Sequence, residues 1–225
     1  MPRSARCAPA GFAYHVLNRS VARLLLFEKD ADYRAFEAVL QEAQAREPLP
    51  ILCFCLMPNH WHFVVRPEHD AQVTDFFRWL THTHTMRWHA HHETSGTGHL
   101  YQGRFKSFPI EEDDHLYTVL RYVERNPRRA NLVEHASQWP WGSSWHRNRP
   151  RSALRGLLAD WPVPLPRDWD AWVDQPQTDA ELTAIRQSVN RGTPYGAEQW
   201  IDRTAVRLRI EATLRPRGRP RKYLT

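Results

Sequence analysis

Residues 51–66 constrain the fold of this chain more than any other stretch. Residues 51–56 are a dense apolar run, Met57-Pro58-Asn59 is turn-like, and residues 61–66 read as a second strand. So short a connection makes the two strands an antiparallel hairpin, because parallel neighbours need a crossover of a dozen or more residues. Within the second strand, Asn59-His60-Trp61-His62-Phe63 sets two imidazoles around one bulky apolar residue. Side chains alternate across a strand, so His60 and His62 share one face while Trp61 and Phe63 anchor the other.

The flanking segments extend the constraint. Residues 12–18 read as a first strand, ending at Asn18-Arg19-Ser20. Asp30 looks like an N-cap, and Tyr33, Phe36, Leu40 and Ala43 recur at helical spacing until Pro48 and Pro50. A second helix starts near Asp70 and turns Val73, Phe76, Phe77 and Leu80 inward. After the loop Ser95-Gly96-Thr97-Gly98, residues 104–109 form another strand. Acidic residues 111–114 favour the start of a third helix over about 115–125, with Pro127 setting its end. Strand, helix, hairpin, helix, strand, helix is not the alternation of a wound parallel sheet. It predicts an α+β layer, an antiparallel sheet with helices packed on it.

At 225 residues the chain holds one domain plus an appendage, on a prior of ~100–200 residues per domain. The boundary is expected after about Arg147. Residues 1–147 form the domain, and 148–225 a linker and basic C-terminal extension. Prolines and tryptophans dominate 148–176, a short helix is expected over 197–208, and the end is rich in arginine. A net charge of +6 with clustered arginine points to a polyanion, nucleic acid first and acidic membrane second. No apolar run approaches membrane-spanning length, and residues 1–13 lack the apolar core of a secretion signal. Cys7, Cys53 and Cys55 are odd in number without framework spacing, so free thiols and a cytoplasmic setting are expected. Cys53 and Cys55 read as two small buried residues. A zinc site joining them to His60 and His62 would lack the usual knuckle spacing.

Two same-face imidazoles can hold a divalent ion if a further oxygen ligand joins them. Asn126 can supply it. Tyr122 lies four residues earlier, on nearly the same helical face, whereas Tyr117 falls on roughly the opposite side. A phenol is a poor nucleophile at neutral pH, and an ion clamped on a phosphate would stabilise charge developing there. Arg104 and Lys106, on one face of their strand, either bind flanking phosphates or form a solvated face. On periodicity alone Tyr122 reads more readily as a core-edge tyrosine with a solvated hydroxyl. His82, His84, His89, His91 and His92 read as a polar helix end, and Trp88, Trp139 and Trp141 as packing residues more readily than base-stacking ones.

At these residues the chain resembles the REP-associated tyrosine transposases of the His-hydrophobic-His single-strand endonuclease superfamily. The matching segments are Tyr14-His15-Val16-Leu17-Asn18-Arg19, Met57-Pro58-Asn59-His60-Trp61-His62, Gly103-Arg104-Phe105-Lys106-Ser107 and Arg121-Tyr122-Val123-Glu124-Arg125-Asn126-Pro127. Trp139-Pro140-Trp141 and Ser143-Ser144 share the family's look. The resemblance implies a ferredoxin-like domain in which His60, His62 and Asn126 bind Mg²⁺ or Mn²⁺. It implies that Tyr122 attacks the phosphate, giving a 5′-phosphotyrosine link and a free 3′-hydroxyl. The implied partner is single-stranded DNA folded into a hairpin at repetitive palindromes, met by a monomer or homodimer in the bacterial cytoplasm near the nucleoid. Relatives among the smaller insertion-sequence enzymes often carry glutamine at the place of Asn126.

The tail Pro216-Arg217-Gly218-Arg219-Pro220 resembles an AT-hook, so Arg217, Gly218 and Arg219 are expected in the minor groove of A·T-rich duplex DNA. A disordered basic tail that binds any polyanion is the other reading. Competing functions are a hairpin-DNA-binding protein that does not cut, a replication-initiator-type nickase, and a zinc-based RNA-binding regulator resting on Cys53 and Cys55.

Overall fold

The computed structural model describes residues 8–215. Strands β1 (Ala13–Arg19), β2 (Ile51–Met57), β3 (His60–Val65) and β4 (Lys106–Ile110) form one antiparallel sheet in the order β2-β3-β1-β4. Helix α1 (Asp30–Arg46) joins β1 to β2, and α2 (Gln72–His91) joins β3 to β4. This is the ferredoxin-like path, the expected α+β class. The hairpin closes at Met57 opposite His60 and sets Cys55 opposite His62.

Both faces of the sheet are covered, which explains why every residue of β2 is buried and its sequence shows no alternation. On one face, Phe36 and Leu40 of α1 and Phe76, Phe77 and Leu80 of α2 pack over Val16, Phe54, Trp61 and Phe63. The start of α1 is held from inside the helix. Asp32, rather than Asp30, accepts from the backbone N–H groups of Glu28 and Lys29 at 2.9 and 3.1 Å. On the other face lies α3 (Asp114–Glu124), which buries Leu116, Val119, Leu120 and Val123 against Cys53, Cys55, Val64 and Phe108. Asp113 caps α3 through the His115 N–H at 2.8 Å.

Helices α4 (Asn126–Arg129) and α5 (Ser143–Arg147) follow, then α6 (Trp169–Asp174), α7 (Asp179–Arg191) and α8 (Glu198–Arg207). Residues 148–176, expected as an extended linker or a segment wrapped on the domain surface, send Trp169 and Val173 into the second core, and Ile185 and Tyr195 join it from beyond them. Proline and tryptophan spacing carries no periodicity, so that packing was invisible in the pattern.

The outer edge of β2 is engaged as well. Leu56 N–H donates to the Trp141 carbonyl, Ala159 N–H to Ile51, and the indoles of Trp139 and Trp161 donate to Leu56 and Leu52 at 2.8 Å each. Trp88 donates to the Leu26 carbonyl, and the Trp141 ring stacks on Tyr33 at 4.7 Å. These indoles therefore hold the fold together, as the packing reading expects. Among the described residues no helix is long and apolar enough to cross a membrane.

Candidate active site

Strand parity places the imidazoles as expected. Trp61 and Phe63 are fully buried on the α1/α2 side, while His60 and His62 face α3. Trp61 is locked by a buried chain of hydrogen bonds. Its indole N–H donates to the Tyr101 hydroxyl at 3.0 Å, and that hydroxyl lies 2.8 Å from Nδ1 of His84. An indole only donates, so the Tyr101 proton goes to His84. His84 thus departs from the polar helix end read in the sequence. It is 4% exposed, and burial pushes its pKa down to about 3.

His60 and His62 have ring centres 5.0 Å apart, nearly perpendicular. Nδ1 of His60 is 2.6 Å from Oδ1 of Asn59. A carboxamide oxygen only accepts, so that nitrogen carries the proton and Nε2 keeps its lone pair. Behind His62, the ring of His15 on β1 stacks at 5.0 Å, with Nε2 of His15 2.9 Å from Nδ1 of His62. With the shared proton on His62 Nδ1, Nε2 of His62 is also a lone pair. His15 then carries its proton on Nδ1, a buried atom without a hydrogen-bond partner. Burial pushes the His15 pKa down to about 3. Burial, with Arg19 and Arg129 adding repulsion, does the same for His60, and His62 is held well below its ordinary value. All three rings are therefore neutral at pH 7. Two neutral imidazoles with paired Nδ1 groups are the donor set a divalent cation requires.

Tyr122, 8% exposed near the end of α3, stands edge-on to His62 at 5.9 Å and to His15 at 6.1 Å between ring centres. The guanidinium of Arg129 covers its other side, 4.4 Å from the ring centre. Tyr117 points elsewhere, donating its hydroxyl to the Pro164 carbonyl at 2.6 Å. Asn126 lies one turn beyond Tyr122 and is buried, with its carboxamide engaged locally. Its nitrogen donates to the carbonyls of Tyr122 and Val123, and its oxygen accepts from Arg129. One lone pair of that oxygen is left for a further partner.

Arg104 and Lys106 line a cleft of about 400 Å³ together with Tyr122, Arg19 and Arg186. The strand expected over 104–109 runs from Lys106 to Ile110, so Arg104 belongs to the approach loop, yet both cations line the cleft. Arg217, Gly218 and Arg219 lie outside the described residues.

Cys53 and Cys55 are buried free thiols whose pKa values burial raises, with Glu124 adding to the effect. Among the described residues, the one group of three or more His, Cys, Asp or Glu ligand atoms within 4.8 Å of one another is Glu111, Asp113 and His115. The thiols and imidazoles therefore do not close into a zinc cage. The acidic trio has a local role, because Asp113 caps α3 and Glu111 accepts from the Ala197 N–H at 2.7 Å.

His15, Asn59, Arg129 and Arg186 carry parts of this site for which the sequence reading assigned no role. His15 and Asn59 stand inside the matched segments, but their contacts depend on strand register. Arg186 sits beside Ile185 in the spacing Leu182, Ile185, Val189, a helical stripe that was legible.

Comparison with known proteins places the chain among transposases. A Haemophilus influenzae protein assigned as a REP-associated tyrosine transposase is 25% identical over 122 residues, 50% of this chain and 68% of that protein. The solved structure of a REP-associated tyrosine transposase bound to a REP hairpin superposes with a TM-score of 0.53 at 20% identity. That alignment covers 73% of this chain and 93% of the other, and it supports the fold. The profile of the family described as "Transposase IS200 like" matches residues 10–126. With more than half its length matched in this way, the chain belongs to the IS200-like transposase family.

Proposed function

We propose that this transposase cuts and rejoins single-stranded DNA at hairpin-forming repetitive palindromes, with Tyr122 as nucleophile and His60, His62 and Asn126 as ligands of Mg²⁺ or Mn²⁺. The observation that carries the reading is the edge-on approach of the Tyr122 ring to His62 beside a basic cleft. The hairpin substrate draws support from the structural neighbour, which is bound to a REP hairpin.

The bound cation would neutralise charge on the scissile phosphate and fix its orientation. The protein supplies the rest. Asn59 and His15 hold the two imidazoles with their lone pairs forward. Arg129 stacks on the phenol and keeps it from rotating away. The oxygen of Tyr122 attacks phosphorus, the bond to the 3′ oxygen breaks, and the leaving oxygen takes up a proton as a 3′-hydroxyl. A 5′-phosphotyrosine remains, and attack by another 3′-hydroxyl reverses the step to join strands. Arg104 and Lys106 hold neighbouring phosphates. The C-terminal tail with Arg217, Gly218 and Arg219 would add duplex affinity at A·T-rich sequence.

The test is incubation of the full chain with labelled hairpin DNA and Mn²⁺, followed by a denaturing gel for a covalent adduct. The adduct is expected in wild type and Tyr117→Phe, and is lost in Tyr122→Phe and on chelation by EDTA. Equal adduct in both tyrosine variants would refute the assignment.

A further inference from the structure

The cleft beside Tyr122 has one wall that the catalytic motifs do not supply. Its other sides come from the end of β1 and the loop entering β4, but Arg186, Val189 and Asn190 come from α7. These three residues are spaced i, i+3, i+4 and so form one stripe of the helix. α7 is firmly seated. Ile185 is fully buried in the second core, Ser188 is 4% exposed, and Thr178 and Glu181 cap the start reciprocally. Its end is closed by Gly192 at φ +76, where a side chain would be strained, close under the Ser107 carbonyl of β4. The stripe is therefore held in place against the sheet.

The charges around the cleft share one sign. Arg19, Arg104 and Arg186 form no ion pair with a carboxylate among the described residues. Arg186 is also close enough to Arg129, stacked on the Tyr122 ring, for the two charges to repel. Like charges gathered about a cleft raise the local positive potential and favour an anion brought from outside. We propose that α7 forms the second wall of the DNA path, with Arg186 holding a backbone phosphate of the single strand next to the one Tyr122 attacks. The region after Arg147 is then part of the active site rather than an appendage. This rests on the reading of Tyr122 as the group that meets DNA.

The experiment uses the full chain carrying Tyr122→Phe, so that binding is measured without cutting. A fluorescent hairpin oligonucleotide with single-stranded flanks is titrated at several salt concentrations. Arg186→Ala is expected to weaken binding about 3- to 10-fold at physiological salt. It should lower the slope of log affinity against log salt by about 0.7, the value for one single-strand phosphate. Arg186→Lys should keep the slope, and Arg186→Glu should lower it further. Arg34→Ala, on the far side of the sheet, should leave it unchanged. Melting temperatures should match wild type throughout, since Arg186 is exposed. A slope unaltered in both Arg186→Ala and Arg186→Glu would overturn the inference, as would an equal drop in Arg34→Ala. Adduct formation by the chain with Tyr122 intact is scored separately. Its absence would count against the nucleophile assignment, while the salt slopes would still decide the role of Arg186.

Discussion

Replacing Tyr101 with phenylalanine removes one oxygen and should cost far more than a surface change. That hydroxyl accepts from Trp61 and donates to His84 in a region where all three side chains are nearly or fully buried. Phenylalanine fills the same volume, so no cavity term enters. What remains is one indole N–H and one imidazole nitrogen without partners. Each stranded group costs about 1–3 kcal/mol, which puts the loss near about 4 kcal/mol. For a chain of this size that corresponds to a fall in Tm on the order of 10 °C. Urea denaturation followed by tryptophan fluorescence measures it directly. In a His84→Leu background the same substitution strands only the indole, so its cost should drop to about half. A loss under about 1 kcal/mol, or an equal loss in both backgrounds, would show that the Trp61–Tyr101–His84 chain does not hold the His60–His62 strand as argued.

Acid should destabilise the fold through the same histidine. His84 has its folded pKa pushed down to about 3 from an ordinary 6.5, so the folded state binds fewer protons between those values. Its contribution is present above the unfolded pKa and is lost as pH falls from 6.5 through about 3. The gap in unfolding free energy between wild type and His84→Leu should narrow by up to about 1.4 kcal/mol per pH unit across that window. A constant gap would contradict burial of a neutral ring. His15→Leu removes the ring that pairs with Nδ1 of His62, and should weaken Mn²⁺ binding about 10-fold by calorimetry with the fold intact. Unchanged Mn²⁺ affinity would mean His62 needs no such support.

The first half of the molecule was largely legible, because its elements announce themselves locally. The hairpin, the helical stripes of α1 and α2, and the four-residue spacing of Tyr122 and Asn126 each rest on short-range geometry. Parity alone placed His60 and His62 opposite Trp61. What sequence could not supply was register. Whether His15 meets His62 depends on Leu17 lying opposite His62 across the sheet, a long-range fact that no local pattern encodes. Capping by Asp32 instead of Asp30 is a two-residue displacement that side-chain reach decides. The packing of the region after Arg147 was illegible for another reason. Its tryptophans are anchored singly, by indole hydrogen bonds and edge contacts, so they leave no repeating stripe. The engagement of Asn126 by Arg129 and by the carbonyls at the end of α3 was hidden because it depends on how the chain turns between the two helices.

The two borders of the sheet have a consequence for how copies of this protein can meet. Along one, the indoles and backbone of residues 139–161 occupy the β2 groups that would otherwise invite a neighbour. At the other, Pro109 has no amide hydrogen to offer, and its carbonyl is taken by Tyr195. Lateral growth by adding a strand from another molecule is therefore obstructed along β2 and beside Pro109, so neither border of the sheet offers a full row of open backbone groups among the described residues.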